Sequence, residues 1–135
     1  MVHAEIHVGR LLEVRLAEPV TLAAMEGYVV RVRELLAAAK EPVVAIADFR
    51  HLGVMQGPIA DMLLSLMRAD NPKMERAAYV MPAESATLKL QLTRLIREAA
   101  SDARRTFDAP PDAEAWLAER LKPSERERVS SFLAM

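Results

Sequence analysis

The chain has 135 residues, 52% of them hydrophobic, with a formal net charge of −1 and no cysteine. That length fits one domain with a core large enough to need no disulfide or metal staple. The charge argues against nucleic acid or an anionic membrane as a bulk partner, and the missing cysteines exclude disulfides, thiolate nucleophiles and cysteine-ligated zinc.

Residues 4–17 read as two short strands. Ile6 and Val8 alternate with Glu5 and His7, Gly9-Arg10 makes the turn, and Leu12, Val14 and Leu16 alternate with polar neighbours. Thr21 then caps a helix whose apolar stripe is Leu22, Met25, Val29, Val32 and Leu36. Gly27 interrupts it, as a glycine that packs closely on a sheet would. "PVVAIADF" at 42–49 is apolar on both faces, too short for a helix and rich in β-branched residues, so it predicts a buried central strand. The segment after Asp48 is irregular. Pro58 then suits the first turn of a helix carrying Ile59, Met62, Leu63, Leu66 and Met67.

A strand over 76–81 follows, then a helix capped by Ser85 with Leu88, Leu92, Leu95, Ile96 and Ala99 inward. "RRTF" at 104–107 predicts a last short strand. A helix capped by Asp112 buries Ala113, Trp116, Leu117 and Leu121. After Pro123, Ser124 and Glu127 form a capping box for a final helix with Val129, Phe132 and Leu133 on one side. The order β-β-α-β-α-β-α-β-α-α predicts an α/β domain with a mixed sheet of about five strands and helices mainly on one face. The domain spans 1–122, and 123–135 reads as a helical extension whose Val129, Phe132 and Leu133 point to a dimer contact.

The strand–loop–helix junction at 47–63 is where α/β proteins usually place chemistry. It has glycines only at 53 and 57, so it lacks both G-x-G-x-x-G and the phosphate-binding G-x-x-x-x-G-K-[ST]. Asp48 reads as the cap of its own loop, and His51 as a loop histidine without a nucleophile beside it. His3 and His7 share one strand face, but ~13 Å of strand rise argues against a shared metal. No metal ligand set and no cofactor are expected. Glu125 and Glu127 read as solvated charge. The basic residues Lys89, Arg94, Arg97, Arg104 and Arg105 read as a solvated face, with an acidic partner or lipid headgroup as the alternative. Val54 and Met55 are apolar residues in a loop, either tucked inward or exposed for a partner.

This layout resembles the STAS domains, and most of all the SpoIIAA-like (STAS/SEC14-like) group. The carriers of the resemblance are the two early strands, the buried strand ending in Asp48, and the closing segment with Arg105, Phe107, Ala113, Trp116 and Leu117. The resemblance implies a non-catalytic regulatory module in the cytoplasm that docks a protein partner. Family members of the anti-sigma-factor-antagonist kind carry a phosphorylatable serine or threonine in the loop after the strand-end aspartate. Here that stretch is Met55, Gln56, Gly57 and Pro58, with no hydroxyl, so the phospho-switch is absent. The expected partner surface is His51, Val54, Met55, Gln56 and Gly57. Two rivals stand beside it: a lipid or other hydrophobic ligand in a closed pocket near Met55, and an enzyme using His51 with Asp48. Neither nucleic acid nor integral membrane contact is expected.

Overall fold

The computed structural model describes all 135 residues. Its elements are β1 (Val2–Ile6), β2 (Leu11–Leu16), α1 (Leu22–Ala38), β3 (Val43–Asp48), α2 (Gly57–Asp70), β4 (Met74–Val80), α3 (Ala86–Ala99), β5 (Arg104–Phe107), α4 (Pro110–Ala118) and α5 (Pro123–Leu133), with one 3₁₀ turn at Asn71–Lys73. The sheet order is β1-β2-β3-β4-β5. β1 pairs antiparallel with β2, and the remaining neighbours are parallel. The predicted mixed five-stranded α/β sheet is therefore present, with β3 at its centre and all six of its residues buried.

The sequence makes this sheet by simple means. Gly9, at φ +56°, closes the β1–β2 hairpin in a conformation that side chains rarely adopt. Its absent Cβ also leaves room for Glu125, whose carboxylate lies where that atom would be. From β2 onward each strand is followed by a helix and then by the next parallel strand. The preferred hand of such crossovers places α1, α2 and α3 on one side. There Met25, Leu63, Leu66, Leu88 and Leu92 meet Leu12, Val14, Ala45 and Tyr79 in a core cluster of 27 residues.

The opposite face is covered by α4 and α5. Ala113, Leu117, Val129, Phe132 and Leu133 join Leu11, Val44, Ile46, Ala78 and Val80 in a second cluster of 11. This corrects the expected dimer contact. Val129, Phe132 and Leu133 are all buried against the chain's own sheet, because a sheet apolar on both faces needs a cover on both. Residues 123–133 thus complete the core rather than extend from it.

Several local readings also change. Tyr28 is buried in α1, whereas Leu22 is largely exposed. Gly27 is exposed and no other part of the chain comes within 4 Å of its Cβ position, so it serves no close packing. The α4 cap position is Ala109 rather than Asp112. The α5 cap position is Lys122, and Glu125 rather than Glu127 reaches back to its N–H at 2.8 Å. Glu125 also accepts from Arg10 N at 2.9 Å. It is buried, so it is not solvated charge.

The basic run disperses. Lys89 pairs with Asp108 at 2.9 Å and Arg94 with Glu98 at 3.2 Å. Arg105 lies over the Trp116 ring. Arg104 is buried and donates to Tyr79 Oη at 2.7 Å, Met67 O at 2.9 Å and Asn71 Oδ1 at 3.1 Å. Asp70 sits beside this group, also buried, and burial pushes its carboxyl up to about 6 against the opposing pull of Arg104 and Arg33. A raised acid favours the folded state only while protonated, so its contribution is lost as pH rises from the ordinary carboxylate range through about 6. Asp70→Asn should therefore be more stable than wild type at pH 8, by of order 2 kcal/mol. Urea titrations at pH 4 and pH 8 check this: a variant no more stable at pH 8 than wild type contradicts it.

Candidate functional site

Each parallel strand ends at the same rim of the sheet, where the loops into α1, α2 and α3 lie together. The β3–α2 loop is fixed there by three anchors. The first is Asp48, whose Oδ1 accepts from Arg50 N at 3.1 Å, the expected cap of its own loop. Its carboxylate is also held by two arginines, with Arg50 Nε at 2.9 Å and Arg15 Nε at 3.0 Å. Burial raises the Asp48 pKa, but the hydrogen bonds from Arg50 and Arg15 outweigh it, and the carboxyl is held below its ordinary value. The same arginines reach α5: Arg15 Nη2 donates to Phe132 O at 2.8 Å and Arg50 Nη2 to Leu133 O at 2.7 Å. Asp48 thus ties the loop to the last helix, a role for which its sequence neighbourhood gave no signal.

The second anchor is Gly53. A Cβ there would collide with the Glu18 carboxylate, so the loop lies flat against the β2–α1 connection. His51 O accepts from Glu18 N at 3.0 Å across the same seam. The third is Gln91 of α3, which makes a two-bonded bridge to one residue. Met55 N donates to its Oε1 at 2.9 Å, and its Nε2 donates to Met55 O at 2.8 Å.

This bridge turns the Met55 side chain inward. Met55 is 6% exposed and belongs to the main core, so the expectation that it forms part of a partner surface is corrected. Its neighbour Val54 is 56% exposed. His51, Gln56 and Gly57 are also exposed. Across the α2–α3 groove stands Leu90, 74% exposed and absent from the expected set. Val54, Gly57, Asp61, Leu90 and Arg94 line that groove, whose volume is about 380 Å³. On the other flank of Val54 is a second cleft of about 380 Å³, lined by Glu18, Pro19, Val20, Leu52 and Met55 among others. Val54 therefore stands as an apolar ridge between two shallow depressions.

Asp48 and His51, the pair an enzyme reading would use, are not brought together. The Asp48 carboxylate is spent on two arginines and a backbone amide, and His51 is not among its partners. Four parallel strands run in unbroken order, so the connections into α1, α2 and α3 lie on one side and do not diverge as they would at a topological switch point. No helix is long and apolar enough to cross a membrane.

The expectation for His3 and His7 also changes. Strand rise separates their backbones, but their rings lean together. The ligating atoms of His3, His7 and Glu13 all lie within 4.8 Å of one another.

The comparison with solved structures rests on this geometry. An uncharacterised protein of the DUF3478 family with a SpoIIAA-like fold, from Shewanella loihica PV-4, superposes with a TM-score of 0.65 over 87% of this chain and 92% of its own. The chain has the SpoIIAA-like fold. At 21% identity the likeness is one of fold. No protein-family model matches the sequence, and no curated protein matches it. Within the SpoIIAA-like fold, the β3–α2 loop of this chain carries no hydroxyl from Asp48 to Pro58. Its exposed features are the Val54 ridge and two clefts rather than a modifiable oxygen.

Proposed function

We propose that the chain is a non-catalytic regulatory module that docks a protein partner in the cytoplasm, through the Val54 ridge and the groove that separates it from Leu90. The observation that carries this reading is the pairing of two strongly exposed aliphatic residues, from different elements, on one groove. Single exposed apolar residues are ordinary, but two converging on a concave surface resemble the apolar centre of an interface. Asp61, Arg94 and Glu98 border it and would supply a polar rim. The ridge is rigid, because Gln91 and Asp48 fix the loop on both sides. Rigidity lowers the ordering cost of association. The SpoIIAA-like fold supports the regulatory assignment by analogy only. The loop has no phosphorylatable group, so docking here is constitutive or is switched on the partner.

A lipid or other hydrophobic ligand fits less well. The cleft beside Met55 opens to solvent and includes the Glu18 carboxylate, whereas such ligands favour enclosed apolar cavities.

Affinity capture from the native cell extract tests the docking face. Wild type should retain a specific protein that the Val54→Asp/Leu90→Asp double variant loses. Val30→Asp, which charges an equally exposed residue on α1, should keep it. Equal retention by all three would overturn the assignment.

A further inference from the structure

We propose that His3, His7 and Glu13 form a binding site for a divalent metal ion of the zinc class. The site lies on the α5 side of the sheet and is independent of the docking ridge. Two imidazoles and one carboxylate are a common donor set for zinc, three protein ligands leaving one position open. Their ligating atoms already fall within 4.8 Å of one another. Tetrahedral coordination at ~2.1 Å needs ligand atoms ~3.4 Å apart, so the widest pair must close by up to ~1.4 Å. His7 can supply that movement, because its side chain is substantially exposed.

The other two donors are held in place. Glu13 is fully buried, and Arg128 binds both of its oxygens, at 2.7 and 2.8 Å. One hydrogen bond to each oxygen leaves lone pairs for a metal. The His3 ring stacks on Phe132 of α5 at 6.4 Å and an interplanar angle of 21°, which fixes its orientation. Glu5 adds a second carboxylate, its Oε2 3.0 Å from His7 Nε2. Carboxylates in this position orient metal-bound imidazoles and raise their basicity. Two cations face the site and each is already paired: Arg128 with Glu13, and Arg15, which lies over the Phe132 ring, with Asp48, which leaves the Glu5 carboxylate to favour a bound cation. A bound ion would join β1, β2 and, through Arg128 and Phe132, the last helix.

The chain has only three histidines, so His51 is an internal control. Zinc chloride is titrated into the untagged protein, followed by calorimetry and by the imidazole NMR signals. The expected result is one ion per chain, with the His3 and His7 signals moving together and His51 unmoved. His7→Ala, an exposed change that leaves the core intact, removes one of three ligands and should weaken binding by more than the ~10-fold that loss of an outer-shell partner costs. Cobalt(II) should give the intense visible band of a four-coordinate site in wild type and lose it in His7→Ala. Zinc that fails to saturate, binding unchanged in His7→Ala, or equal shifts at all three histidines would each overturn the proposal.

Discussion

Asp48→Ala is expected to lower folding stability by about 3–5 kcal/mol, the usual cost of removing one partner from a buried ion pair. Asp48 is 2% exposed and holds two arginines that are themselves partly buried. Without it, Arg15 and Arg50 keep their bonds to the α5 carbonyls but lose the charge that justifies their position. The loss therefore spreads from the β3–α2 loop to the last helix. Acid should mimic the substitution. Because the folded pKa of Asp48 lies below its unfolded value, the pair stabilises fully above the ordinary carboxylate range. That contribution disappears as pH falls through the depressed folded value. Urea unfolding at neutral pH and across the acid range checks both statements. A loss under about 1 kcal/mol, the scale of exposed ion pairs, would show that the clamp is not structural.

Met55→Asp should be at least as damaging, costing about 4 kcal/mol or more, because it places an unpaired charge in the main core. The adjacent Val54→Asp should change stability by no more than about 0.5 kcal/mol. Two neighbours of similar hydrophobicity thus have opposite expectations, and the cause is Gln91. Its amide grips both the N–H and the carbonyl of residue 55, which sends one side chain inward and the other out. Thermal or urea unfolding of the two variants measures the contrast. If Val54→Asp unfolded the chain as Met55→Asp does, the ridge would be core and the docking face would not exist.

The same pair of residues marks how far the sequence could be read. β3 was legible because Val43–Ala47 is apolar at every position, a pattern only a doubly covered strand requires. The stripes of α2 and α3 were legible because a helix imposes its period on the buried residues. The loop has no period. The direction of Met55 is set by a residue 36 positions away, and nothing local encodes that. Charged residues misled for a related reason. Glu13 and Glu125 are buried by hydrogen bonds to Arg128 and Arg10, each 115 positions away in sequence. A lone glutamate, read locally, is solvated. The α5 stripe was visible, but a stripe does not say which surface it meets; the bare second face of the sheet decided that. Strand rise, in turn, bounds where His3 and His7 attach, not where their rings end.

Among the site residues, the position of the surface was legible and its composition was not. Val54, Gln56 and Gly57 lie where the loop was expected to be open, Met55 does not, and Leu90 was read only as part of a helix. Its exposure follows from its place opposite the buried row of Leu88, Leu92 and Leu95.

Photo-crosslinking inside the native cell gives the most direct measure of the docking claim. With a photoreactive side chain at position 54 or 90, one and the same protein adduct should form. The same group at position 30 should not form it. An adduct that appears equally from position 30, or different adducts from 54 and 90, would contradict a single docking face on this ridge.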